Sequence, residues 1–98
     1  MNLKDLVEVC TQYEVKRVPL NIGRTDNLRL YGLCCPDTRQ ILLEKNQDHM
    51  ELRDSFIHES LHALHYIKGD LFGVSCREQE KLVRYETKKL MRELYGKR

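Results

Sequence analysis

No apolar run in this sequence approaches the roughly 18 residues that a helix needs to cross a bilayer, so a membrane-spanning role is not expected. The opening residues, Met1-Asn2-Leu3-Lys4-Asp5, break into an amphipathic pattern where a secretory signal would have a continuous apolar stretch. A cytoplasmic location is the resulting expectation. Cys-x-x-Cys is absent, and the four cysteines, Cys10, Cys34, Cys35 and Cys76, follow no regular spacing. Without a secretory context they read as reduced, buried small hydrophobes and not as a disulfide framework. Cys34 and Cys35 are adjacent and would point to opposite faces of a strand, which argues against a shared ion. Cys76, just ahead of the last helix, stays open as a metal ligand. An excess of one charge is lacking too. Seventeen Lys and Arg stand against fifteen Asp and Glu, a net charge of +2, too little to imply nucleic acid by itself. The late cations Lys88, Lys89, Arg92, Lys97 and Arg98 are interleaved with Glu86 and Glu93, as on a solvated helix face. There are no repeats and no low-complexity segments.

What is present describes one globular domain covering residues 1–98, with 41% hydrophobic and 33% charged residues. Leu3, Leu6, Val7, Cys10 and Tyr13 recur at helical spacing, predicting a first helix from about Leu3 to Lys16 with those residues as its buried face. Val18 to Ile22 has strand character and, with Pro19 inside it, reads as a short edge strand. Leu28 to Cys34 alternates, Pro36-Asp37-Thr38 turns the chain, and Arg39 to Glu44 returns, which together predict an antiparallel hairpin. A helix over residues 48–68 follows, opened by an Asp48/Glu51 capping box and closed by Gly69. A last helix spans about Arg77 to Tyr95, with Leu82, Val83, Leu90, Met91 and Leu94 as its apolar face. The expected class is α+β: a small antiparallel sheet, hairpin plus edge strand, packed with three helices.

The most informative residues lie on the middle helix. His58-Glu59-Ser60-Leu61-His62 is an H-E-x-x-H motif. Histidines four apart on a helix are separated by about 40° around the axis and about 6 Å along it, so both imidazoles reach one zinc ion. Glu59, one residue after the first histidine, points beside that ion, where a carboxylate can act as general base. Phe56, Ile57, Leu61, Leu64 and Ile67 form an apolar stripe next to the histidine row, as a site on the floor of a cleft requires.

A catalytic zinc usually takes three protein ligands. No histidine follows His65, so a distant downstream histidine is excluded. The longer H-E-x-x-H-x-x-G-x-x-H pattern fails, with His65 and Lys68 at its last two fixed positions. His65 lies about 10 Å along the axis from His58, too far to share a tetrahedral ion. A carboxylate of the last helix remains: Glu80 first, on the row of Val83, Thr87 and Leu90, then Glu78, then Glu86. If none of these serves, Cys76 and Asp70 are the next candidates.

A hairpin, a helix reading Phe56-Ile57-His58-Glu59-Ser60-Leu61-His62-Ala63-Leu64-His65, and a further helix offering a glutamate resemble the small gluzincin-type metallopeptidases. The likeness is to the ImmA/IrrE-like and phage-type peptidase domains and runs from about Arg39 to Met91. It implies a compact zincin-like domain in which His58 and His62 bind Zn2+ and Glu59 is the catalytic base. The family glutamate would fall near Glu80, although Glu80-Lys81-Leu82-Val83-Arg84-Tyr85 departs from the family's usual wording, and no DNA-binding domain accompanies it. The implied activity is hydrolysis of peptide bonds in a protein or peptide substrate, most readily a flexible or unfolded segment. Tyr31, His65, Tyr66, Arg77 and Tyr85 are candidates to stabilise the oxyanion, and the Arg39–Glu44 strand is a candidate to pair with an extended substrate. Two rivals are a non-catalytic, zinc-stabilised regulatory or interaction module and a nucleic-acid-binding protein. Glu59 argues against the first, since a structural site has no use for an unligated carboxylate. The balanced charge argues against the second.

Overall fold

A computed structural model describes residues 1–22, 29–69 and 73–95, apart from the side chains of Leu94 and Tyr95. Leu28, Asp70, Lys97 and Arg98 lie outside the described residues, as does the Leu94 side chain. The elements run α1 (Leu3–Gln12), β1 (Glu14–Val18), β2 (Gly32–Cys35), β3 (Gln40–Glu44), α2 (His49–Lys68) and α3 (Cys76–Tyr95). Three helices on a three-stranded sheet make an α+β domain, as the sequence pattern implies.

The sheet order is β1-β3-β2. β2 and β3 form the expected antiparallel hairpin, with Leu33 opposite Leu42 and Cys34 opposite Ile41. Arg39, expected to open the returning strand, instead closes the turn with a left-handed φ of 55°. The sheet as a whole is mixed, not antiparallel, because β1 runs parallel to β3 with Val15 opposite Ile41 and Arg17 opposite Leu43. β3 is therefore the central strand. Its uninterrupted Ile41-Leu42-Leu43 is the composition expected of a strand flanked on both sides.

The first strand also lies earlier than its sequence signal. α1 stops at Gln12, where Tyr13 is already extended and its N–H still donates to the Val9 carbonyl. β1 ends at Val18, and Pro19 follows it instead of sitting inside it, since proline has no N–H for the ladder. The buried side of α1 differs as well. Val9 is its buried residue, joined by Tyr13 just past its end, whereas Leu3 is 75% and Val7 57% exposed, and Cys10 faces solvent. Packing against Ala63 and Leu64 of α2 and Ile41 and Leu43 of β3 selects Val9 and Tyr13.

α2 begins and ends on its sequence signals. The Asp48 side chain accepts from the Glu51 N–H and the Glu51 side chain from the Asp48 N–H, while Gly69 caps the far end in the left-handed conformation. That φ of 67° is one that glycine adopts at little cost. α2 lies between two apolar clusters. Ala63 and Leu64 pack on Val9, Tyr13, Ile41 and Leu43; Ile57 and Leu61 pack on Val83 of α3. Leu90 and Met91 join the second cluster, while Leu82, predicted to be apolar and inward, is largely exposed. α2 is thus held on two sides, with His58, Glu59 and His62 carried on its remaining surface. No helix of the described residues is long and apolar enough to cross a membrane.

Candidate metal centre and its cavity

Packing of α3 against α2 through Val83 sets Glu80, one turn earlier, beside the two histidines. His62 Nε2 stands 2.8 Å from Glu80 Oε1, and His58 Nε2 stands 3.2 Å from Oε2 and 3.4 Å from Oε1. The two imidazole rings meet edge to face with centroids 5.0 Å apart. One ligand atom from each of His58, His62 and Glu80 falls within 4.8 Å of the others. Atoms bound to one tetrahedral zinc at about 2.0–2.2 Å stand about 3.3–3.6 Å apart, so the spacing suits a single ion. Two imidazoles and a carboxylate also form a donor set of the catalytic type, leaving a fourth position open.

The protonation states point the same way. Burial, with the His58 and His65 charges, lowers the pKa of His62 against the upward pull of the Glu80 carboxylate. Burial pushes Glu80 up, but the hydrogen bond from His62 and the charges of both histidines outweigh it and leave the carboxyl below its usual range. A neutral imidazole and an ionised carboxylate are the forms that bind metal.

Glu59 stands outside this group. It is 8% exposed, and burial, with a smaller push from the Glu80 charge, raises its pKa to about 7. Its place against the sheet depends on Gly32: a Cβ there would come within 2.9 Å of Glu59 Cγ and 3.2 Å of Glu59 Oε2. Gly32 is a residue that sequence reasoning missed. A lone glycine inside a strand often marks a close approach by another group, and that was the available signal.

Gly32, His58, Glu59 and Glu80 border a cavity of about 610 Å³, lined also by Arg29, Leu30 and Tyr31 ahead of β2, by Glu51, Asp54 and Ser55 of α2, and by Arg84, Thr87 and Lys88 of α3. The stretch leading into β2 is pinned through a buried carboxylate. Glu44 accepts from the Leu20 and Asn46 N–H groups and from the Asn21 amide, and Asn21 in turn holds the Leu30 N–H and carbonyl.

The other candidates disperse. Glu86 pairs with His65, its Oε1 3.1 Å from His65 Nε2, and Glu78 is exposed at the start of α3. Neither belongs to the metal group. Cys76 is an exposed free thiol outside it as well. All four cysteines are free, but Cys10 and Cys76 are exposed and Cys34 and Cys35 only partly buried, so the expected uniform burial is corrected. Burial, with the nearby Glu59 and Cys35 charges, pushes the Cys34 thiol up to about 12, which leaves it protonated and unreactive. Of the five oxyanion candidates, only Tyr31 lines the cavity. Arg84, one turn beyond Glu80 with Nε 3.8 Å from Glu80 Oε2, was not among them, although its i,i+4 spacing from Glu80 was visible. β3 cannot receive an extended substrate, because both its edges are paired; among the described residues the open edge beside the cavity belongs to β2. No family model, curated protein or solved structure matches this chain.

Proposed function

We propose that the chain is a zinc-dependent metallopeptidase that hydrolyses peptide bonds in flexible or unfolded protein segments. The observation that carries this is a division of labour among carboxylates. Glu80 joins His58 and His62 as one ligand set, while Glu59, buried and with its pKa raised to about 7, stays outside that set. A purely structural zinc site leaves Glu59 without a task.

Bound at His58, His62 and Glu80, zinc supplies Lewis-acid polarisation of a water and of the scissile carbonyl. Glu59 takes a proton from the attacking water on a carboxylate oxygen and returns it to the leaving amine. The edge of β2, unpaired among the described residues, can pair with an extended peptide chain, and Gly32 leaves Glu59 room beside that edge. An open cavity on a small domain favours a loose segment over a folded surface. Free thiols fit a reducing compartment, and we place the activity in the cytoplasm.

Elemental analysis tests the metal directly. Purified protein is expected to hold about one zinc per chain, and the His58→Ala/His62→Ala variant to hold none. Wild-type levels of tightly held zinc in that variant would refute the assignment.

A further inference from the structure

The row of α3 that supplies Glu80 continues into the cavity as Arg84 and Lys88. Each step of four residues turns about 40° and rises about 6 Å, so the two cations stand at increasing distance from the histidines along one wall. Resting on the metallopeptidase assignment, we propose that the substrate segment is acidic, with Arg84 and Lys88 receiving carboxylate side chains close to the scissile bond.

Charge along the α3 wall of the cavity supports an anionic occupant there. Among the described residues Arg84 has one ion pair, at 3.8 Å to Glu80, and its side chain is 74% exposed. A pair so long and so exposed is weak, and a guanidinium has donors left for a second anion. Lys88 is exposed and has no ion-pair partner among the described residues. Arg29 adds a third cation, held over the Tyr31 ring at 5.3 Å and donating to the Asn46 carbonyl. Away from the reacting centre, the acids facing them are Glu51 and Asp54. Glu51 holds the Asp48 N–H at 3.0 Å through Oε1, at the start of α2, and keeps its charge. Divalent metal at the histidines adds charge of the same sign as the cationic wall. The cavity lining carries both signs, Arg29, Arg84 and Lys88 beside Glu51, Asp54, Glu59 and Glu80, but the α3 wall beyond Glu80 presents only cations, and that wall attracts an acidic ligand.

Spacing narrows the class further. In an extended peptide, side chains two residues apart lie on one side, about 6.8 Å from each other. That is close to the rise between Arg84 and Lys88, so a chain lying along α3 meets them best with acidic residues at alternate positions.

Binding and cleavage are measured separately. Zinc-loaded Glu59→Gln protein is titrated, by fluorescence anisotropy, with labelled unstructured peptides that differ only in an alternate pair of residues: Glu-x-Glu, Gln-x-Gln or Lys-x-Lys. An exposed ion pair gives at most about fivefold in affinity, and two multiply, so Glu-x-Glu should bind up to about 25-fold more tightly than Gln-x-Gln. Lys88→Gln should narrow that ratio, and Arg84→Glu/Lys88→Glu should invert the order of the Glu and Lys peptides. Equal binding of all three peptides, including binding of none, overturns the proposal, as does an unchanged ratio in the charge-reversed variant. Cleavage of the same peptides by the wild-type chain reports on the peptidase assignment instead. Acidic preference without cleavage upholds the recognition and sinks the peptidase; cleavage without preference does the reverse.

Discussion

Replacing Gly32 by alanine should disturb Glu59 and leave the metal in place. The added Cβ would sit 2.9 Å from Glu59 Cγ, where two carbons prefer about 3.5–4.0 Å. Glu59 is nearly enclosed, so it cannot swing clear without moving its carboxylate. Overpacking of this kind costs about 1–3 kcal/mol, and the lost freedom of the unfolded glycine returns about 0.4–1 kcal/mol. The net expectation is a destabilisation of about 1–2 kcal/mol, read from urea melts. A displacement of about 1 Å at a reacting group can cost about 100-fold in rate, so hydrolysis should fall by that order with zinc content unchanged. The origin of the cost is open to a cycle. With Glu59→Ala as background the clash is gone, and Gly32→Ala should become neutral or mildly stabilising. Persistence of the full cost there, or a Gly32→Ala variant as stable and active as the wild type, would refute the reasoning.

Zinc-free protein should show the Glu59 burial in its pH dependence. The folded pKa of about 7 exceeds the ordinary 4.5, so the carboxyl favours folding below about pH 4.5, and that contribution is lost as pH rises through 7. Glu59→Gln removes the loss, and its stability advantage over wild type should grow across that window to about 3 kcal/mol; a difference that stays flat with pH would count against it. For the third ligand, Glu80→Ala should weaken zinc binding by more than the roughly 10–100-fold that loss of an outer partner costs, measured against a competing chelator. Glu78→Ala and Glu86→Ala should leave affinity near wild type, and a large drop in either would displace Glu80 from the site.

Local chemistry made α2 legible. Its capping box, its closing glycine and the His58/His62 row all follow from residues within a turn or two of each other. The same holds for the β2–β3 hairpin, whose turn residues announce it. Partners distant in sequence decided the rest. Glu14 to Lys16 continues a helical pattern on paper, yet pairing with β3 draws it into the sheet, and the parallel orientation has no local signature. Val9 replaces Leu3 and Val7 as the anchor of α1 because a helix face is chosen by what it packs against. Glu80 was ranked above Glu78 by its helical row, and its carboxylate is the one that meets both histidines. Gly32 escaped notice because its reason for being glycine is a side chain twenty-seven positions away.

Wild-type and Glu59→Gln proteins, each carrying one zinc per chain, should be compared on an unstructured protein substrate with and without a chelator. Fragments are expected from the wild type, lost on chelation and recovered when zinc is returned, while Glu59→Gln with equal zinc leaves the substrate whole. Absence of cleavage by the zinc-loaded wild type, or equal cleavage by Glu59→Gln, would contradict a metallopeptidase built on His58, His62, Glu80 and Glu59.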